Sequence, residues 1–197
     1  MVPATLFGGR HFLSPSRYPP DGLRTTLTFL KVQRELVCLP NGETSQREFI
    51  LHPGAVVILA IDTDGMIIFE RQYRHPLKRV FLELPAGKLD LDEQPLEAAR
   101  RELLEETGCS AKSWACLGEI HPCIGYSDEV IHVYLATEAI RIAPQQLDDN
   151  EFLELVRLST VEAIDKVWSG EITDAKTISV LFWLNNPNVR QRMINVA

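Results

Sequence analysis

The segment GKLDLDEQPLEAARRELLEETGC, Gly87 to Cys109, reads as a loop entering a helix that carries Glu102, Glu105 and Glu106 in its last turns. Pro95 suits a first turn, where its missing N–H would have no partner, and Gly108 suits the left-handed residue that ends a helix. Leu96, Ala99 and Leu103 recur at helical spacing and form an apolar stripe for a core, with Ala98, Glu102, Glu105 and Glu106 on a different face. The acidic end runs against local physics. Carboxylates there face the negative end of the helix dipole, where a basic residue would be favoured by roughly 0.3 to 1 kcal/mol. Glu102 and Glu106, at i,i+4, add a like-charge cost of roughly 0.2 to 0.5 kcal/mol. The commonplace explanation is a solvated face, balanced by Arg101 at i,i+4 from both Glu97 and Glu105. The chemical one is an oxygen-rich edge whose repulsion is relieved when a hard cation such as Mg²⁺ binds.

The chain around this segment has 197 residues, 45% of them hydrophobic and 24% charged, enough for one good core and a smaller appendage. A net charge of -7 and a pI near 5.3 argue against a nucleic-acid partner, whose backbone is bound by basic surfaces. No run reaches the roughly 20 apolar residues of a membrane span, and MVPATLFGGRHFL lacks the pattern of a signal peptide, so the expectation is a cytoplasmic protein with no membrane partner. Cys38, Cys109, Cys116 and Cys123 show no C-x2-C spacing, so reduced thiols are expected rather than a disulfide or zinc site.

Residues 1 to about 22 carry four prolines and no sustained period. From Leu23, two strands joined at Asn41 and Gly42 form a small antiparallel sheet that needs a partner surface. AVVILAI, residues 55–61, is a continuous apolar run and a candidate central strand; Asp64 and Gly65 then turn the chain into MIIFERQ. VFLELPAG predicts one further strand before the acidic helix, LGEI and VIHVYLAT two more, and EFLELVRLS the last. Ser159 to Glu162 is a capping-box pattern opening a helix to Trp168 and Gly170. A final helix spans about Asp174 to Leu184 and stops at Asn185, Asn186 and Pro187. The order predicts an α/β protein, a mixed sheet between helices, divided as residues 1–52 (N-terminal extension and antiparallel β subdomain) and 53–197 (main domain).

The full spacing is Gly87, five residues, Glu93, seven residues, then Arg101, Glu102, Leu103, Leu104, Glu105, Glu106, Thr107, Gly108 and Cys109. It resembles the Nudix box, G-x5-E-x7-R-E-U-x-E-E-x-G-U, with Cys109 in place of the last aliphatic residue. FERQYRHP, ELPAGKLD, the region of Gly118, IGYSDE and the acidic segment before the last strand extend the resemblance to the ADP-ribose-hydrolysing branch of that superfamily, over roughly residues 45 to 185. One departure is Ile124, where that branch often has a second proline after Pro122. The fold implied is the Nudix fold, an α/β/α sandwich with a small N-terminal antiparallel β subdomain.

The activity implied by the resemblance is Mg²⁺-dependent cleavage of ADP-ribose to AMP and ribose 5-phosphate, with Mn²⁺ as a substitute ion. Alternatives are another nucleoside diphosphate sugar or a dinucleotide as substrate, or a non-catalytic sensing module. Also by resemblance, Glu102 and Glu106 are the main metal ligands, with Glu105 assisting in binding and catalysis and the carbonyl of Ala86 completing a site. Glu93 tunes that site or steadies the loop, Arg101 fixes neighbouring carboxylates, and Gly87 permits the close turn. For the general base Asp148, Asp149 and Glu151 compete; aligning the following strand with the family favours Glu151, then Asp149. Arg74 is implied as a clamp on the diphosphate, Glu83 as a contact to substrate, and Arg47 as a contribution across a subunit interface. A homodimer is expected, with the N-terminal sheet exchanged between subunits. Phe29, Phe49, Tyr73 and Tyr126 remain open as base-stacking aromatics.

Overall fold

The computed structural model describes residues 30–147 and 152–194. Strands β1 (Lys31–Cys38) and β2 (Thr44–Leu51) form a separate two-stranded antiparallel sheet around Gly42, whose φ of 84° requires the freedom glycine has. Strand β3 (Ala55–Asp62) is buried along its whole length. It sends Ala55, Val57, Leu59 and Ile61 into one apolar cluster and Val56, Ile58 and Ala60 into another, which is why it reads as an uninterrupted apolar run. Its neighbours are β4 (Ile67–Arg74), β5 (Arg79–Glu83), β6 (Ala86–Lys88), β7 (Cys109–Ile120), β8 (Ile131–Arg141) and β9 (Leu153–Leu158). Together they make a seven-stranded mixed sheet: β3 and β8 run parallel, and every other pair is antiparallel.

Helix α1 (Pro95–Thr107) covers one face through Ala98, Ala99 and Leu103. Helices α2 (Thr160–Trp168), α3 (Ala175–Phe182) and α4 (Pro187–Ile194) cover the other through Ala163, Val180, Leu181 and Val189. The sandwich of a mixed sheet between helices is thus as expected, and so is the small separate sheet.

Three local expectations are corrected. VFLELPAG makes two strands, because Pro85 has no N–H to continue a ladder and the preceding amide, Leu84 N, donates to Thr177 Oγ1 on α3 at 3.0 Å. Pro187 does not end the helical region; it opens α4, since proline is tolerated at a first helical position. Ala98, assigned to the acidic face, is fully buried beside Ala99 and Leu103.

Other local signals held. Ser159 and Glu162 form the reciprocal capping box of α2, and Gly108 ends α1 at φ 70°. All four thiols are free. The loop carrying IGYSDE fastens the hairpin to the main sheet: Ile50 N donates to Tyr126 O at 2.8 Å, and His52 N to Asp128 Oδ1 at 2.7 Å.

Candidate active site

The acidic end of α1 is not a solvated face. Glu106 is only 3% exposed, and its Oε2 accepts a hydrogen bond from the Ala86 amide at 3.0 Å. The same β5–β6 connection that Pro85 diverts therefore ends on an α1 carboxylate. At the next residue, Gly87, an added Cβ would lie 1.9 Å from Glu102 Oε1 and 1.9 Å from its Cδ. Gly87 is thus needed for space, so that the Glu102 carboxylate can lie against the strand.

Arg101 organises the loop before the helix. Its Nε and Nη2 bind the Glu93 carboxylate at 2.9 and 2.8 Å, Nη2 also reaches Lys88 O at 3.0 Å, and Nη1 binds Glu102 at 2.8 Å and Glu105 at 3.1 Å. Glu93 in turn accepts from the Asp90 amide at 2.9 Å. The hydrogen bond from Arg101 holds the Glu93 carboxyl below its ordinary range; burial opposes this more weakly. Of the two i,i+4 partners expected for Arg101, Glu105 is engaged, while Glu97 pairs with Arg100 at 2.9 Å.

A second charged cluster lies at the end of β5. Arg74 grips Glu83 with two parallel hydrogen bonds, Nε to Oε1 at 2.9 Å and Nη2 to Oε2 at 2.7 Å. Lys176 Nζ, on α3, also donates to Glu83 Oε2, and to Asp174 Oδ2 at 3.0 Å. Burial alone would push the Glu83 carboxyl up, but the Arg74 hydrogen bond and the charges of Lys176 and Arg74 together hold it below its ordinary range. Likewise burial lowers the basicity of Arg74, and the bond to Glu83 with the charges of Glu83, Glu70 and Asp174 more than restores it. Glu70 is fully buried and stands opposite Glu83 in the β4–β5 register.

The structure thus brings Ala86, Gly87, Glu93, Arg101, Glu102, Glu105 and Glu106 together, and separately pairs Arg74 with Glu83. Arg47 lies on the exposed hairpin and bonds to Ser45 Oγ at 2.7 Å and Gln46 O at 3.0 Å of its own strand. Asp148, Asp149 and Glu151 lie outside the described residues, as does Phe29. Glu70, Asp174 and Lys176 were not anticipated. Asp174 caps α3, its side chain accepting from Thr177 N at 2.9 Å.

The donors along the acidic edge are all oxygens, the set that Mg²⁺ favours, and the glycine cradle admits a carboxylate where any side chain would exclude it. Among the described residues no three acidic, histidine or cysteine side chains converge on one point. Arg101 holds Glu102 and Glu105, and Glu106 is turned to the Ala86 amide. The residues fit such an ion by donor chemistry and by the cradle.

This sandwich, with an acidic helix end facing a glycine turn, belongs with the Nudix hydrolases. A family model described as "NUDIX domain" matches residues 51–181, and the chain is a member of that family. It is 42% identical over 151 residues to an ADP-ribose pyrophosphatase of Bacillus subtilis (strain 168), an alignment covering 76% of this chain and 82% of the relative. It is 40% identical over 158 residues to a methanol dehydrogenase activator of Bacillus methanolicus, covering 79% and 84%. A crystal structure of an ADP compounds hydrolase superimposes with a TM-score of 0.72 at 25% identity, covering 82% of this chain and 89% of that one.

Proposed function

We propose that this Nudix hydrolase cleaves the diphosphate linkage of ADP-ribose, releasing AMP and ribose 5-phosphate. The observation that carries the reading is the carboxylate edge of Glu102 and Glu106 pressed against Ala86 and Gly87. Its support from outside the chain is the similarity to an ADP-ribose pyrophosphatase over most of both sequences. Glu102, Glu105, Glu106 and the Ala86 carbonyl would hold magnesium, for which manganese can substitute. When bound, such an ion neutralises phosphate charge and makes a coordinated water more acidic.

The chain's own groups supply the rest. Arg74, fixed by Glu83, presents the remaining edge of its guanidinium to phosphate oxygens. Glu83 is assigned the substrate end of the same site. Arg101 keeps Glu102 and Glu105 in place, and Glu93 holds Arg101 against the loop. A carboxylate of the 148–151 segment, Glu151 before Asp149, takes the proton from the attacking water. The water oxygen bonds to one phosphorus, and the bridging oxygen leaves with the other phosphate.

The hairpin completes the assembly as a homodimer. Val32 and Leu36 are 54% and 69% exposed on a two-stranded sheet, which is marginal without a covering surface. Exchange of this sheet would bring Arg47 to the partner's site.

The test is chromatography of products from purified protein, ADP-ribose and Mg²⁺. AMP formation by the wild type and its loss in Glu106→Gln supports hydrolysis. Binding of ADP-ribose with no product points instead to a sensing module. Other nucleoside diphosphate sugars and dinucleotides belong in the same panel, because one relative of nearly equal similarity carries a different name.

A further inference from the structure

We propose that Lys176, on helix α3, is a positioning residue that keeps Arg74 available to the substrate diphosphate by sharing the charge of Glu83. The inference rests on the proposed ADP-ribose hydrolysis. Glu83 Oε2 accepts from both Arg74 Nη2, at 2.7 Å, and Lys176 Nζ. The Glu83 and Lys176 side chains are 3% and 14% exposed, so water screens the contact little. Arg74 also feels the charges of Glu70 and Asp174. Without Lys176 the Glu83 carboxylate would lose one of the two cations that hydrogen-bond it. Two effects follow. Arg74 would be drawn more tightly onto Glu83, and the diphosphate would approach a more negative surface.

Lys176 reaches Glu83 from a helix 93 residues further along the chain, and its ammonium is turned to Glu83 and Asp174. It therefore acts through Arg74. The natural substitutions are Lys176→Met, which keeps the apolar stem, and Lys176→Arg, which keeps the charge.

In turnover of ADP-ribose with Mg²⁺, Lys176→Met is expected to raise KM by about tenfold, the equivalent of one charged hydrogen bond, and to change kcat by less than about threefold. Lys176→Arg restores most of the loss. In an Arg74→Lys background, Lys176→Met adds less than about twofold, because the residue through which it acts is already compromised. Equal effects in both backgrounds would overturn the proposal.

A readout independent of turnover is the ¹⁵Nε–¹H signal of Arg74, identified by its absence in Arg74→Lys. Lys176→Met is expected to move it downfield and slow its exchange as the bond to Glu83 tightens, with the backbone amide spectrum of the sheet preserved. An unmoved signal in that folded variant would overturn charge sharing even if ADP-ribose proved not to be the substrate. Failure of the wild type to turn over ADP-ribose, with the signal moving as described, would instead sink the substrate assignment alone.

Discussion

Replacing Gly87 by alanine separates the needs of folding from those of chemistry. Gly87 has no positive φ, so alanine can adopt its backbone. The three atoms nearest the added Cβ all belong to the end of the Glu102 side chain, Oε1 and Cδ at 1.9 Å and Oε2 at 2.4 Å. Ordinary contact begins at 3.4 Å, so the carboxylate must retreat by about 1.5 Å. Restricting the unfolded chain favours alanine by about 0.4 to 1 kcal/mol. Forcing Glu102 off its preferred rotamer costs about 0.5 to 1.5 kcal/mol. These nearly cancel, and the melting temperature should move by no more than about 4 °C. Activity has no such compensation: a misplacement of about 1 Å at a reacting centre can cost roughly a hundredfold. We expect kcat/KM for ADP-ribose to fall by about that factor, with the Mg²⁺ dependence shifted to higher concentration. Scanning calorimetry and a magnesium titration of AMP release measure both sides. Activity within threefold of wild type at unchanged stability would refute the claim that the cradle exists to seat this carboxylate.

Gly108→Ala should show the opposite balance. It sits at φ 70°, and its Cβ would meet the Ala143 carbonyl oxygen at 2.1 Å, a backbone atom that cannot swing aside. Left-handed strain alone is about 1 to 2 kcal/mol, so denaturant unfolding should report at least that loss. Arg74→Lys forfeits the two-pronged grip on Glu83 and should raise KM for ADP-ribose about tenfold in steady-state assays. Glu93 carries a pH dependence. Its folded carboxyl titrates below the ordinary value of 4.5, so its stabilisation is present above that value and is lost as pH falls through the lower folded value. Urea midpoints between pH 7 and 3 should therefore decline less steeply in Glu93→Gln than in the wild type. Sedimentation at micromolar concentration should give about twice the 22.3 kDa chain mass, and a species of one chain mass would count against the hairpin-mediated dimer.

What could be read from the sequence depended on how local the physics was. The central strand was legible because burial on both faces leaves Ala55 to Ile61 no polar position. The acidic helix was legible because proline, an apolar stripe and a terminal glycine each act within a turn or two. Its unusual end was recognisable, yet the burial of Glu106 was not, since that depends on a β6 amide 20 residues earlier in the chain. Arg101 shows the boundary within one side chain. Its contact to Glu105 follows from helical spacing, whereas those to Glu93 and Lys88 O require the intervening loop to fold back on the helix. Pro187 reads as a breaker and Pro85 does not, but whether a proline ends an element or begins the next is decided by what receives the freed chain. Leu84 finds Thr177, and Val189 finds the core.

The Arg74, Glu83 and Lys176 cluster marks the far limit. Arg74 and Glu83 come within reach because the chain doubles back between β4 and β5, whereas Lys176 arrives only through the packing of α3 from a distant part of the sequence. No period or spacing encodes that meeting. What forces it is the cost of burying the Glu83 carboxylate. With a single cation beside it, the carboxylate would be left underpaired in a nearly dry site whenever that contact opened, at several kcal/mol for a broken buried pair. A second cation from a separate element, Lys176, lowers that penalty. The proposed substrate clamp, built on a buried acid, is thus backed by a third charged residue whose place in the sequence is set only by the fold.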